Sequence, residues 1–188
     1  DFHVEDGFLN GLLFKYKGEH KEAWREFDLI RRQFPERHDC WEFSIECLVK
    51  LKSKDELDYL FEEARDIQPK KDQEWLHTKI AQALAGLDSQ SKPEHKTLNL
   101  YSKKYPKNGI LKYAAASAIE NTGDLSGATA LFAEIADSPE QYPHIQANAC
   151  FRMAHSASFK KRKELLKKCI KLNPSHQGAQ AMLGETTS

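Results

Sequence analysis

The chain has 188 residues, and its 28 lysines and arginines equal its 28 aspartates and glutamates in number, so the formal net charge at neutral pH is zero. Without a net positive charge, the chain as a whole is not drawn onto nucleic acid or an anionic membrane. The halves differ, because residues 1–94 carry a net charge of −6 and residues 95–188 a net charge of +6. This split could steer a partner or favour head-to-tail self-association.

The apolar runs and the cysteines narrow the class of protein further. The longest apolar runs are far shorter than the roughly 20 residues that cross a bilayer as a helix, so we expect no membrane span. The four cysteines show no C-x-x-C spacing, and Cys40 and Cys47 would lie about 10 Å apart on one helix face, too far for a disulfide. We expect buried thiols in a reducing compartment, and therefore a cytoplasmic protein. Because the sequence starts at Asp1, we also expect a portion of a longer protein or a processed product.

Five prolines recur at nearly equal intervals along the chain. The intervals are 34, 37, 33 and 35 residues, and each proline ends a periodic apolar segment such as "FEEARDIQP" or "CIKLNP". Proline cannot continue a helix and moves the residue before it out of the helical region. Regular spacing of this kind predicts a chain built from repeated units. The prolines are Pro35, Pro69, Pro106, Pro139 and Pro174.

Within each unit the apolar spacing predicts a helix, a turn and a second helix. In the first unit, apolar residues recur at helical spacing from Phe8 to Tyr16, Gly18 breaks the pattern, and Ala23 and Phe27 belong to the next helix. The third unit has about three extra residues, which we place in an enlarged turn over 85–93. No stretch reads as a β-strand of useful length, so the predicted fold class is all-α. The predicted units span about residues 4–35, 38–69, 72–106, 108–139 and 142–174, followed by a closing helix at 175–186.

The first and fourth units repeat one pattern of turn and second helix. A glycine at the turn is followed five residues later by alanine and four residues after that by phenylalanine. Glycine readily adopts turn conformations, the small alanine lets two antiparallel helices approach closely, and the aromatic ring fills the wedge toward the next unit. One such pair buries too little apolar surface to be stable alone, so neighbouring pairs must stack. The matched residues are Gly18, Ala23 and Phe27 in the first unit and Gly123, Ala128 and Phe132 in the fourth.

These residues and spacings resemble the tetratricopeptide repeat (TPR) family, whereas the half-a-TPR variant is a weaker match. The resemblance covers nearly the whole chain and implies a single superhelical domain over residues 1–188. That domain would be an α-solenoid of about five antiparallel helix pairs plus a capping helix at its C-terminus. The matching residues are Gly11, Phe14, Gly18, Ala23, Phe27 and Pro35 in the first unit; Trp41, Leu48, Phe61, Ala64 and Pro69 in the second; and Ala116, Ile119, Ala128, Phe132 and Pro139 in the fourth.

The resemblance also implies a concave groove, lined by the first helix of each pair, that binds a peptide or partner protein. Glu42 and Glu46 occupy the stretch where the chaperone-type members carry a basic carboxylate clamp, so we expect a ligand of basic character in the first half. The alternative for the apolar positions is packing against a neighbouring helix. The implied groove residues are Phe8, Leu12, Lys15, Glu42, Glu46, Val49, Tyr113, Ser117, Glu120, Ala147, Phe151 and Ala154.

The residues that usually carry chemistry are scattered. The eight histidines form no H-E-x-x-H motif or i,i+4 pair, and no nucleotide-binding glycine pattern is present. Adjacent carboxylates such as Glu62 and Glu63 fall on a predicted solvated face, which gives no pocket to separate their pKa values. We therefore expect no catalytic residues, no metal, no cofactor and no enzymatic activity in this segment.

A basic run, "FKKRKELLKKCIK", lies at residues 159–171 and is the strongest nucleic-acid signal. Its apolar residues form a helical stripe, so the basic residues would cover the outer face, and only Phe159 could stack on a base. Nucleic acid is therefore disfavoured as a partner, with acidic protein or lipid headgroups competing for the same surface. The basic patch comprises Lys160, Lys161, Arg162, Lys163, Lys167 and Lys168.

The sequence thus predicts a non-catalytic scaffold that binds a peptide or protein. Three alternatives remain open. The segment could be the substrate-selecting arm of a larger enzyme, such as a glycosyltransferase or sulfotransferase. It could be an RNA-processing scaffold that uses the basic patch. It could also self-associate through its acidic and basic halves.

Overall fold

The computed structural model describes residues 4–67, 70–89 and 93–185, without the side chains of residues 65–67 and 70–72. Pro69 and the last residue of the predicted closing helix lie outside these ranges. The described residues form helices joined by turns, with no strand among them, so the all-α fold class and the TPR-like helix pairs are confirmed. The helices are α1 Val4–Lys17, α2 His20–Gln33, α3 His38–Leu51, α4 Lys54–Ile67, α5 Lys70–Asp88, α6 Glu94–Lys104, α7 Gly109–Glu120, α8 Leu125–Asp137, α9 Pro143–Ser156, α10 Phe159–Leu172 and α11 Gln177–Glu185.

The chain forms two compact units, a first unit of residues 1–97 and a second unit of residues 98–188, and each unit contains more than one of the repeats predicted from the sequence. In the first unit α2 packs between α1 and α3, and α5 packs on α3 and α4. In the second unit α8 packs between α7 and α9, and α10 packs between α9 and α11. Each helix thus lends an apolar face to its neighbours, as stacked pairs require. The prediction of a single superhelical domain over residues 1–188 stays a prediction.

The third helix pair differs from the sequence-based expectation. The prediction of an enlarged turn over residues 85–93 is wrong for residues 85–88, because α5 continues to Asp88. Ala85 is fully buried and Leu84 nearly so, and this packing holds the segment in helical conformation despite Gly86. The extra residues of the third repeat therefore lengthen its first helix, α5, to 19 residues.

The core of the first unit forms where α2 meets α1 and α3. Ala23 and Phe27 are fully buried, and the Phe27 ring lies 5.9 Å from the Phe8 ring and 5.0 Å from the Phe43 ring. A Cβ atom on Gly11 would come within 2.7 Å of the Phe27 ring. The glycine in α1 is therefore required by the close approach of the phenylalanine in α2.

The second unit repeats this arrangement. Ala128, Phe132 and Ile135 on α8 are each about 1 % exposed and pack with residues of α7, α9 and α10 in one apolar cluster. The Phe132 ring lies 5.3 Å from the Tyr113 ring of α7. The alanine–phenylalanine pattern that recurs in the sequence therefore occupies equivalent buried positions in both units, as predicted.

The turns at the start of α2 and α8 share a backbone conformation but differ in capping. Gly18 and Gly123 have φ values of +80° and +87°, in the left-handed region that glycine enters at little cost. Asp124 caps α8 by accepting a 2.8 Å hydrogen bond from the Gly127 amide. Glu19, its match in the first unit, makes no side-chain cap bond, so the acidic residues do not share one role.

The arginine Arg31 is fully buried, which the sequence pattern did not predict. Its guanidinium forms ion pairs with Asp28 on the same helix and with Glu63 on α4, and lies 4.7 Å from the centre of the Trp41 ring. A buried arginine requires this compensation, since loss of the carboxylates would leave an unpaired charge in the core. The network ties α2, α3 and α4 together.

All four cysteines are free and buried, as predicted from their spacing. Burial raises the pKa of the Cys40 thiol to about 12 and the pKa values of Cys47 and Cys169 to about 11. It raises the pKa of Cys150 as well. These residues act as small apolar side chains, because their thiolates are disfavoured in the core.

The buried aromatic position can be tested by truncation. Phe132→Ala should lower the free energy of unfolding by about 3–5 kcal/mol, because the cavity it leaves forfeits both transfer energy and packing. The matched control is Phe159→Ala, on a side chain that is 62 % exposed, which should change stability by no more than about 0.5 kcal/mol. Urea denaturation of both variants measures the difference, and equal losses would contradict the assigned burial.

The thiols should resist alkylation until the chain unfolds. Iodoacetamide reacts with thiolates, and the ordinary thiol pKa of 9.0 is raised in the folded chain. Between the pKa of a thiol in the unfolded chain and its higher pKa in the folded chain, the folded chain keeps a proton that the unfolded chain has released. Burial of the neutral thiols therefore stabilises the fold below the unfolded pKa, and this stabilisation is lost as the pH rises through the folded pKa. Mass spectrometry after alkylation at mildly alkaline pH should show slow labelling of native protein and fast labelling in urea. Fast native labelling would place the thiols at the surface.

Candidate functional site

Ion pairs join the first helices of the first unit along one face. The Lys15 ammonium on α1 lies 2.7 Å from a carboxylate oxygen of Glu46 on α3. The Glu42 carboxylate on α3 lies 3.9 Å from the Lys79 ammonium on α5. We call this surface of α1, α3 and α5 the first-helix face. Its predicted acidic residues each lie beside a lysine, so the face is charge-balanced rather than acidic.

A pocket of about 360 Å³ opens on the first-helix face between α1, the start of α2 and α3. Val49 and Ile45 supply apolar surface, while Lys15 and Glu46 supply opposite charges at the rim. The size is that of a small ligand-binding cleft, with apolar walls and few polar groups. Among the predicted groove residues, the structure therefore gathers Lys15, Glu46 and Val49 around one cavity. The lining residues are Lys15, His20, Ile45, Glu46, Val49 and Lys50.

The two apolar groove residues predicted in α1 pack within the chain. Phe8 is half-buried, with its ring 5.9 Å from the rings of Phe27 and Phe43 and 4.8 Å from the Arg37 guanidinium. Leu12 is also half-buried against the same cluster. The packing alternative therefore accounts for the inward side of both residues, and neither lines the pocket.

In the second unit the predicted residues of α7 meet an arginine of α9. Tyr113 and Ser117 lie four residues apart on α7, and Glu120 forms an ion pair with Arg152. Burial raises the pKa of the Tyr113 hydroxyl, and the nearby Arg152 opposes that shift. The structure therefore brings Tyr113, Ser117 and Glu120 together along one helix, with Arg152 as a neighbour that the sequence did not indicate.

Phe151, a predicted groove residue of the fifth helix pair, packs at the C-terminal end of the second unit. Ala147 and Ala154, the other groove residues predicted for that pair, are fully buried. The Phe151 ring lies 4.8 Å from the His155 ring and 4.6 Å from the His176 ring. A Cβ atom on Gly178 would come within 2.9 Å of it. Phe151 thus supports the docking of α11 on α9, which is the packing alternative for this residue.

The basic patch on α10 is only partly available to a ligand. Arg162 donates hydrogen bonds to the backbone oxygens of Ala154 and Ala157 at the end of α9. Lys168 lies 2.7 Å from a carboxylate oxygen of Asp137. Of the remaining members, Lys160, Lys161 and Lys167 are exposed, and Lys163 is half-buried. Two of the six predicted cations are thus already bound within the chain.

Sequence reasoning missed the pocket-lining residues His20, Ile45 and Lys50. It also missed the basic ion-pair partners Lys79 and Arg152. A signal was present, because each ion pair joins opposite charges roughly one repeat apart in sequence, as Glu120 and Arg152 are at 32 residues. Residues at that separation sit side by side on neighbouring first helices. A search of the sequence for opposite charges about one repeat apart would have identified both Lys79 and Arg152.

Within the ranges that the structure describes, no group of three or more histidine, cysteine, aspartate or glutamate side chains is placed to hold a metal ion. None of the described helices has both the length and the apolar composition needed to cross a membrane.

Comparison with known proteins finds likeness of fold among solved structures. No protein-family model matches the chain, and no curated protein matches it in sequence. The crystal structure of YrrB, described as a TPR protein with an unusual peptide-binding site, is similar to it with a TM-score of 0.49 and 17% sequence identity. The match covers 96% of this chain and 91% of YrrB. The peptide-binding site is a property of YrrB.

Substitution can distinguish structural from ligand-binding cations in the basic patch. Arg162→Met should lower the free energy of unfolding by about 1.5–3 kcal/mol, because it removes charged hydrogen bonds to carbonyls at the end of α9. Lys167→Met, on the exposed part of the same helix, should change it by less than about 0.5 kcal/mol. Thermal and urea unfolding provide the measurement, and similar stability of the two variants would show that Arg162 has no capping role.

Proposed function

We propose that the protein is a non-catalytic scaffold that binds a peptide or a segment of a partner protein on the first-helix face. The pocket between α1, α2 and α3 is the observation that carries this proposal. Its walls are apolar and its rim holds both charges, so it suits one apolar side chain with polar groups on either side. Interaction scaffolds of this kind supply a rigid surface rather than a reacting group.

The charges on the face set the character of the ligand. Glu46 and Lys15 form an ion pair that spans the pocket rim, with side chains 55% and 31% exposed. Exposed pairs of this kind contribute little to stability, so a ligand group can replace either partner at small cost. The proposed ligand therefore presents an apolar anchor flanked by charge of either sign, whereas the sequence alone favoured a basic ligand.

The remaining parts of the proposal concern location and the alternative partners. Four buried, free thiols support a reducing compartment, and so a cytoplasmic protein. The engagement of Arg162 and Lys168 within the chain favours protein over nucleic acid as the partner. No catalytic residue, metal or cofactor is assigned to the described residues.

Peptides selected from a random phage-displayed library test the proposal. We expect the selected peptides to share an apolar residue and to bind the 188-residue chain in a fluorescence anisotropy assay. Val49→Trp should weaken binding about tenfold or more, because the indole fills the pocket. The matched control is Leu51→Trp in the same helix, at a residue outside the pocket, and it should retain wild-type affinity.

Two results would count against this function. One is a selection that yields no peptide with measurable affinity. The other is a set of peptides whose affinity is unchanged by Val49→Trp and by Glu46→Lys, since such peptides would bind elsewhere. Circular dichroism of each variant confirms that the helices remain intact during the assay.

A further inference from the structure

The docking of α3 on the first helix pair shows which face of a first helix meets the preceding pair. The Phe43 ring lies 5.9 Å from the Phe8 ring and 5.0 Å from the Phe27 ring. Cys47, one turn later on α3, is fully buried in the same cluster. Phe43 and Cys47 are therefore two of the residues through which α3 contacts α1 and α2.

The same two positions of α1 carry exposed leucines. Thirty-four residues before Phe43 and Cys47, the interval between the first two spaced prolines, stand Leu9 and Leu13. These side chains are 61% and 50% exposed, and Tyr16, three residues further on, is 92% exposed. Spacings of four and three place all three on one helix face. We call this face the α1 stripe, and nothing in the described part of the chain covers it.

The last helix, in the second unit, presents a different surface. Met182 and Leu183 of α11 turn toward the core, while Gln177, Gln180 and Glu185 are exposed. A polar outer face of this kind is what the terminal element of a repeat array needs for solubility. The α1 stripe is apolar, whereas the exposed surface of α11 is polar. The last helix of one copy therefore offers the α1 stripe of another copy no apolar partner in a head-to-tail contact.

We infer that the α1 stripe binds the α1 stripe of a second copy of this chain, with the two helices antiparallel about a two-fold axis. A two-fold contact uses the same patch on both molecules, so Leu9 of one copy meets Leu13 of the other and the reverse. Two short apolar stripes then cover each other. The tyrosine at position 16 lies at each end of the contact, where its hydroxyl remains in water.

Charge on the flank of the stripe favours this partner and this orientation. Asp6 and Lys17 are both exposed, and at eleven residues apart they lie within about 20° of each other around the helix. When two copies of a helix pair antiparallel about a two-fold axis, the same flank of each helix lies on the same side of the contact. The N-terminal end of one helix then lies beside the C-terminal end of the other. Asp6 therefore faces Lys17 of the second copy, and the symmetry makes this attraction twice. The other charges of α1 are used within the chain, where Lys15 pairs with Glu46 and Glu5 pairs with Arg37.

Sedimentation equilibrium over a concentration series tests the inference with the 188-residue chain. We expect a reversible monomer–dimer equilibrium that Leu9→Gln with Leu13→Gln weakens at least about tenfold. Leu125→Gln is the control, since Leu125 on α8 is similarly exposed, at 52%, but lies in the second unit. A chain that stays monomeric at every concentration overturns the inference and leaves the stripe to a helix of another polypeptide.

Charge reversal tests the antiparallel pairing itself. Asp6→Lys alone and Lys17→Asp alone each create two like-charge contacts, so each should weaken the dimer about tenfold. The double variant should restore the dimer to within about threefold of the original. It also places a cation at the start of α1 and an anion at its end, which opposes the helix dipole. Restoration therefore cannot come from a more stable helix. A double variant weaker than both single ones would overturn the antiparallel arrangement.

Discussion

The close approach of two antiparallel helices at a small residue is the constraint on which the structure depends. Ala23 and Ala128 leave room for a neighbouring helix, and Phe27 and Phe132 then fill the wedge between successive pairs. Because a single pair buries too little apolar surface, each unit is stable only when its helices are stacked. The glycine at position 11 follows from the same constraint, since a side chain there would collide with the Phe27 ring.

Stacking also determines which surfaces remain for partners. It places successive first helices side by side, and the ion pairs Lys15–Glu46 and Glu42–Lys79 form where they meet. These exposed pairs add little to stability. The pocket opens beside the Lys15–Glu46 pair, where Ile45 and Val49 supply apolar surface. Stacking also accounts for the α1 stripe. A first helix packs through apolar residues on two of its sides, and in the described part of the chain no helix covers this side of α1.

The candidate site could be predicted only in part. The TPR resemblance named Lys15, Glu46 and Val49, and the structure gathers them around one cavity. It also named Phe8, Leu12 and Phe151, which the structure packs against core residues. The sequence could not separate these two roles, because an apolar residue at a groove position gives the same pattern whether it faces a ligand or a helix. The pairing of Arg162 with carbonyl oxygens of α9 could not be foreseen from a run of basic residues.

The sequence by itself determined the all-α class, the helix pairs and the buried alanine and phenylalanine positions, because periodic apolar spacing and regular prolines are local properties of the chain. Only the tertiary structure decided how residues about one repeat apart combine. In the structure Arg31 is a buried cation paired with two carboxylates, α5 continues through the expected turn to Asp88, and Leu9 and Leu13 are exposed. The physical reason is that pairing and burial depend on which helices become neighbours, and spacing along one helix cannot specify that.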